Sequence, residues 1–294
     1  MAFAQRPLCK LGSRWYGPNV ATATTSHRLT TAEITAMKED GYVLRERVFE
    51  PSECAEMTDL CEALTANLVK DRQARRYHIG SYTFDPDQLT GCMIKWEGDS
   101  DVVHGLEPFA HLSPELERWA YDPRFTEPSI PFIGDEQPIL FTEKLNLKRP
   151  FHGGPNPWHQ DWPYWEFADD RSRIVTAMVF LDDATLENGT LEVLPGSQKR
   201  GPWPTRTDRD EFGNLEMDPK HVEGHTPVPI EVPAGSVVWF GPLLVHKSEP
   251  NRSSKERRTL LYSYQPHGFE HSRVIDLRQA EERRKRREER QATS

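Results

Sequence analysis

Ile174-Val175-Thr176-Ala177-Met178-Val179-Phe180-Leu181 is the stretch whose reading decides the fold. It is short, apolar and rich in β-branched residues, the signature of a strand buried in a sheet. Working outward, similar short runs recur: Ile139-Leu140-Phe141, Leu145-Asn146-Leu147, Leu191 to Leu194, Ile230-Glu231-Val232, Ser236 to Phe240 and Thr259 to Tyr264. Gly, Pro, Asn and Asp punctuate them. Several short strands with no helix between them predict a β-sandwich or barrel.

The chain before these strands reads differently. Residues 1–28 are polar and irregular and are expected to form an arm. Leu29-Thr30-Thr31-Ala32-Glu33 carries a Thr cap with Glu33 three residues on, which starts a helix that Gly41 ends. Tyr42-Val43-Leu44 reads as a strand. Pro51-Ser52-Glu53 opens a second helix, with Cys54, Met57, Leu60, Cys61 and Leu64 at helical spacing. Ser113-Pro114-Glu115-Leu116 starts a third. Residues 70–135 are otherwise mixed. Arg278 to Arg290 interleaves both signs of charge, as a solvated helix does. The expected organisation is one domain over residues 1–294: the arm at 1–28, a helical and mixed support at 29–135, a β core at 136–268, and a charged tail at 269–294.

Composition bounds the function. The 294 residues are 36% hydrophobic and 10% aromatic, enough for a globular core. A net charge of −9 speaks against nucleic acid as the partner. No apolar run reaches the length of a membrane span. The four cysteines, Cys9, Cys54, Cys61 and Cys92, form no Cys-x-x-Cys pair and read as reduced thiols. With no secretory pattern at the N-terminus, a cytoplasmic enzyme is expected.

The chemistry concentrates in Trp158-His159-Gln160-Asp161-Trp162 and Val245-His246-Lys247-Ser248. On a strand, residues two apart point the same way, so His159 and Asp161 are expected to grip one ion from one side, with His246 arriving from a distant strand. Two imidazoles and one carboxylate, with the opposite positions open, suit non-haem Fe(II); zinc is the alternative for such a set. Trp158 and Trp162 make an apolar setting in which an unpaired carboxylate is costly, and a cation would justify Asp161. Arg257 precedes the strand Thr259 to Tyr264. A strand adjacent to that of His246 would bring its guanidinium to the pocket, where its fork matches the far carboxylate of a dicarboxylic acid. Ser248 can add a hydroxyl to the same group. That combination favours iron with 2-oxoglutarate over zinc.

At these residues the sequence resembles the phytanoyl-CoA hydroxylase family of iron- and 2-oxoglutarate-dependent dioxygenases. The resemblance spans roughly residues 30–268. It rests on Asp40-Gly41-Tyr42-Val43-Leu44, His159-Gln160-Asp161, Glu187-Asn188-Gly189-Thr190-Leu191, Leu194-Pro195-Gly196-Ser197, His246-Lys247-Ser248, Asn251 and Arg257. It implies a double-stranded β-helix, the cupin-like jelly roll, mainly β with flanking helices. It implies Fe(II) on His159, Asp161 and His246, the distal carboxylate of 2-oxoglutarate on Arg257 and Ser248, and O2 as oxidant. Lys95 falls where some members place a basic residue beside the co-substrate, and Asn146 and Thr176 are further co-substrate candidates. Family members that install halogen lack the metal-binding carboxylate, so Asp161 points to hydroxylation or a related oxidation instead.

The expected activity is oxidation of a C–H bond in a small molecule, such as a secondary metabolite, with release of succinate and CO2. Trp158, Trp162 and Trp165, with Tyr164 and Phe167, fit either core packing or a substrate-pocket wall. Residues 201–228 fit either a lid or a passive insertion, and Arg72, Arg75 and Arg76 could meet a phosphate. The alternatives are an acyl-CoA hydroxylase, a metal-dependent hydrolase or isomerase, and a sensory jelly-roll protein that binds metal and 2-oxoglutarate without turnover. A homodimer is the candidate assembly.

Overall fold

A computed structural model describes residues 26–70, 77–79, 82–87, 91–98, 100–206 and 215–276, with Arg278, Glu282 and Lys285 beyond. Most of the arm at 1–28, the Arg72, Arg75 and Arg76 cluster, the middle of the 201–228 insertion and most of the charged tail lie outside the described residues.

Helix α1 (Thr31–Asp40) starts at a capping box. The Thr30 hydroxyl accepts from Glu33 N, and the Glu33 carboxylate accepts from Thr30 N at 2.7 Å. Strand β1 (Tyr42–Arg45) follows Gly41 directly. Helix α2 (Pro51–Lys70) turns Cys54, Met57, Cys61 and Leu64 into the core, as their spacing predicts. Helix α3 (Pro114–Ala120) has Ser113 as its cap. Two features of the mixed region escaped the sequence reading. Strands β2 (Tyr77–Ile79), β3 (Tyr82–Asp87), β4 (Cys92–Glu97) and β5 (Val103–Glu107) form a meander there. In β4 Met93 shares the face of Lys95 and Glu97 and blurs the alternation that marks a strand. Helix α4 (Pro123–Ile133) holds Pro128 and Pro131 inside it, residues that read as helix breakers.

The remaining strands are β6 (Ile139–Lys148), β7 (Asn156–His159), β8 (Val175–Phe180), β9 (Leu191–Val193), β10 (Val228–Pro229), β11 (Val237–Phe240), β12 (His246–Ser248) and β13 (Arg257–Gln265). The two runs at 139–141 and 145–147 are one strand, β6. The run Ile230-Glu231-Val232 is not a strand; Val232 only bridges Ala184.

Two antiparallel sheets result. The larger has the order β1-β11-β8-β13-β6-β5-β4-β3-β2, the smaller β10-β9-β12-β7. They face each other as a jelly roll, with the helices on the outer face of the larger sheet. The outer core joins Met57, Phe125, Leu145, Leu147, Leu260 and Tyr262. The inner core, between the sheets, joins Met178, Phe180, Leu191, Val193, Val238 and Phe240. No helix among the described residues is long and apolar enough to cross a membrane.

Register fixes the inner face of the larger sheet as a stack of rows, because residues two apart share a face. Arg257 stands opposite Lys148. The next row runs Phe180, Thr259, Asn146, Gly105, Lys95. Above it come Met178, Leu261 and Lys144, then Thr176, Ser263 and Thr142. Gly105 is required where it is. A Cβ there would lie 2.5 Å from the Leu145 carbonyl oxygen and would push β5 off β6.

Candidate metal and co-substrate site

His159 ends β7 and His246 begins β12. The two residues are register partners across the smaller sheet, and their ring centroids lie 4.1 Å apart. Asp161 joins them by a route the sequence reading did not foresee. The strand stops at His159; Asp161 has helical dihedrals (φ −71°, ψ −23°) and leads into a 3-10 turn over Trp162–Trp165. A turn, not strand alternation, brings its carboxylate round. The Trp162 N–H donates to the Pro242 carbonyl at 3.0 Å and pins that turn against the approach to β12. His159 Nε2 lies 3.9 Å from Asp161 Oδ1, and one ligand atom from each of the three residues lies within 4.8 Å of the others. Bonds of about 2.1 Å hold two donors of one ion no more than about 4.2 Å apart, so a first-row ion would draw these three side chains slightly inward. Among the described residues no other cluster of His, Cys, Asp or Glu comes as close together.

The ring orientations are set by the backbone. His159 Nδ1 contacts the Pro157 carbonyl at 2.8 Å, and His246 Nδ1 contacts the Leu244 carbonyl at 2.9 Å. A carbonyl oxygen only accepts, so both Nδ1 atoms carry the proton. Both Nε2 lone pairs are left for a metal. Burial, with His246 beside it, pushes the pKa of His159 down to about 3, so the ring is neutral and ready to ligate.

Gln160, between the two ligands, has a part that sequence reading missed. Its Nε2 donates to Leu243 O at 2.6 Å and Gly201 O at 3.1 Å, and its Oε1 accepts from Trp203 N at 2.8 Å. It straps the ligand turn to two loops. The one available signal was a polar side chain set between two tryptophans.

The flanking aromatics divide. Trp165 is 3% exposed and packs edge-on against Phe141 in a small core. Trp158 packs against the cluster of Leu194, Trp203, Met217 and Val245. Trp162 lies under the Arg171 guanidinium at 4.1 Å. Tyr164 is 39% exposed and stands edge-on to the His159 ring. Of these, Tyr164 is the wet aromatic next to a metal-ligand candidate.

Arg257 opens β13, but β13 is not a neighbour of β12. It belongs to the larger sheet, between β8 and β6, and faces the smaller sheet across the lumen. The guanidinium is 1% exposed. Nη2 donates to Gly189 O at 2.8 Å and Nη1 to Thr259 Oγ1 at 3.2 Å, while Nε has no partner among the described residues. Burial lowers its pKa to about 10, so it stays charged at neutral pH. A buried cation with an unused donor calls for an anion.

Gly189 makes this arm possible. Its φ is +75°, and a Cβ would lie 2.1 Å from the Glu249 carbonyl oxygen. Lys148, also missed, ties the same corner: Nζ donates to Gly154 O at 2.7 Å, to Ser248 O at 3.4 Å and to Glu249 O. The Ser248 hydroxyl accepts from Asn156 Nδ2 at 3.3 Å, and Asn156 Oδ1 accepts from Lys95 Nζ at 3.2 Å. Lys95 and Ser248 are therefore linked through Asn156. Burial, then the nearby Lys144, lowers the Lys95 pKa to about 8. Asn146 lies one row above Arg257, opposite Thr259. Thr176 lies at the other end of the stack, bonded to Ser263 at 2.8 Å. Its register partner Phe240 packs on the His246 ring at 5.0 Å.

A jelly roll with two histidines and a carboxylate on one wall and a buried arginine on the other defines a class: the non-haem iron- and 2-oxoglutarate-dependent dioxygenases. The chain belongs to the phytanoyl-CoA dioxygenase (PhyH) family, whose profile matches residues 37–259. It is 32% identical to L-proline trans-4-hydroxylase of Streptomyces griseoviridis over 57% of this chain and 69% of that one. It is 34% identical to methylphosphonate hydroxylase of Gimesia maris, over 44% of this chain and 46% of the relative, so it spans under half that protein's length. The fold matches the crystal structure of EctD from S. alaskensis with 2-oxoglutarate and 5-hydroxyectoine. The TM-score is 0.65, with 24% identity over 85% of this chain and 81% of the other.

Proposed function

We propose that His159, Asp161 and His246 hold one Fe(II), that Arg257 and Ser248 receive the distal carboxylate of 2-oxoglutarate with Lys95 beside it, and that the enzyme hydroxylates a C–H bond of a small molecule. Bound there, iron and 2-oxoglutarate supply the oxidising power, and succinate and CO2 are released. The carbonyls of Pro157 and Leu244 hold the Nδ1 protons and aim both Nε2 lone pairs inward. Asp161 contributes the one negative charge of the set. The free Nε of Arg257 and the Ser248 hydroxyl meet the carboxylate from opposite sheets. Met178, Phe180, Val238 and Phe240 keep the lumen wall apolar and limit water.

The observation that carries this reading is the three converging ligand atoms on the smaller sheet, facing an arginine with a spare donor on the larger one. Small polar molecules are the substrates for which the proline and methylphosphonate hydroxylases are named, and we extend small-molecule hydroxylation to this chain. We place the activity in one domain in the cytoplasm, in keeping with the buried thiols of Cys54 and Cys61. Light scattering would test the homodimer as its assembly. The functional test is succinate release from the Fe(II)-reconstituted protein across a small-molecule panel. O2-dependent succinate with a hydroxylated product is expected; metal binding without any affinity for 2-oxoglutarate would point to a hydrolase.

A further inference from the structure

The inner face of β6 carries one charged group that neither the metal nor the co-substrate reading uses. Lys144 lies on the face of Asn146 and Lys148, while Leu145 and Leu147 turn to the helices. Glu107 ends β5. Since Gly105 and Leu106 pair with Asn146 and Leu145, Glu107 comes opposite Lys144. Lys144 Nζ is 3.4 Å from Glu107 Oε1, and Thr142 Oγ1 is 3.4 Å from the same oxygen. Both contacts are long for charge-assisted bonds. The side chains of Lys144 and Glu107 keep 28% and 29% of their area open. No other hydrogen-bond or ion-pair partner reaches either among the described residues, so an ammonium and a carboxylate both have capacity left.

Their row decides what they can meet. Arg257 and Lys148 occupy the far end of the stack. Lys144 lies two rows nearer the metal, next to the row of Thr142, Ser263 and Thr176, whose neighbour Phe240 packs on His246. Although burial works against its charge, Glu107 and Asp161 raise the Lys144 pKa, which places the pair within the field of the metal-binding carboxylate.

We propose that Lys144 and Glu107 are the substrate anchor, and that the substrate is a small zwitterion, with its carboxylate on Lys144 and its ammonium or amidinium on Glu107. This rests on the oxygenase reading above and names the substrate class of that site. Adjacent opposite charges suit an α-amino acid or a cyclic amidinium carboxylate. A ligand of single charge serves only one of the two groups and leaves the other desolvated with only its long 3.4 Å contact, and so binds more weakly.

The test is calorimetric titration of the Mn(II)- and 2-oxoglutarate-loaded protein. The ligands are the common α-amino acids and ectoine, with prolinamide and N-acetylproline as single-charge controls. Binding of Mn(II) and 2-oxoglutarate is measured first; if either fails, the oxygenase reading falls, and this inference with it. If both bind, at least one zwitterion is expected to bind, with its own amide and N-acyl forms at least about tenfold weaker. Lys144→Met and Glu107→Gln should each weaken that zwitterion about tenfold or more. Both should leave 2-oxoglutarate affinity within about twofold, which also shows that they fold. Three results overturn the inference: no zwitterion binds the loaded protein, its amide and N-acyl forms bind as tightly as it does, or either variant binds the zwitterion as the parent does.

Discussion

The two walls of the lumen are built by different rules. The larger sheet presents Arg257, Thr259 and Leu261 on β13 against Lys148, Asn146 and Lys144 on β6, in long and mostly regular register. The smaller sheet presents His159 and His246 from strands of four and three residues, and Asp161 from a turn outside any strand. On the first wall, position follows from strand period and many ladder bonds. On the second, each ligand is held separately: the imidazoles by the carbonyls of Pro157 and Leu244, the turn by Pro242 and the strap of Gln160. The metal wall therefore depends on a few specific contacts, and the co-substrate wall on a ladder that survives single changes.

That contrast can be broken most sharply at the ligands. His159→Ala, Asp161→Ala or His246→Ala should each abolish succinate formation while circular dichroism stays native, since none of the three is part of a large core. Full turnover in any one of them would remove it from the metal set.

The corner joining the walls comes next. Gly189→Val places a Cβ against the Glu249 carbonyl at a left-handed backbone position. Denaturant unfolding should show a loss of about 3 kcal/mol. Gly224→Ala, at a similar φ with nothing within 4 Å of its Cβ, should lose only about 1 kcal/mol. Equal losses would mean that backbone strain, and not the close approach, governs this corner.

On the ladder wall, Arg257→Ala should raise the Kd for 2-oxoglutarate about 30-fold or more and leave metal affinity nearly unchanged. Arg257→Lys should recover little of it, because a lysine lacks the fork. Unchanged co-substrate affinity would shift the anchor to Lys95 or Lys148.

The smallest effect is a pH dependence. Lys95 titrates near pH 8 in the folded chain, below the ordinary lysine value of 10.5. Its ammonium is present below that pH, so 2-oxoglutarate affinity should fall by a few-fold as pH rises through 8, and Lys95→Met should flatten the profile. Without co-substrate the sign for stability is opposite. Between about 8 and 10.5 the unfolded chain binds more protons at this residue, so its contribution to stability grows with pH over that window. A pH-independent affinity in the parent protein would take Lys95 out of the co-substrate site.

The same contrast explains how far the sequence could be read. The β-rich runs at 174–181 and 259–264 were legible because burial on both faces leaves few polar interruptions. His159 and His246 were legible by residue type, and Arg257 by its place before a strand. The turn that carries Asp161 was not, because His-Gln-Asp has the spacing of a strand and a strand was assumed. The sheet membership of Arg257 was not either; nearness along the chain suggested adjacency to β12, whereas the fold sets it on the facing wall. Lys148 and Asn156 escaped because each works through hydrogen bonds to distant backbone or side chains, which no local pattern encodes. The meander β2–β5 was hidden by its mixed polarity, and α4 by its internal prolines.

The most direct measurement is an anaerobic Fe(II) titration of the parent chain and of the His159→Ala, Asp161→Ala and His246→Ala variants, read by bound iron after dialysis. One ion per parent chain is expected, and none retained by any variant. Undiminished iron in a variant, or a parent chain that holds no iron, would contradict this expectation.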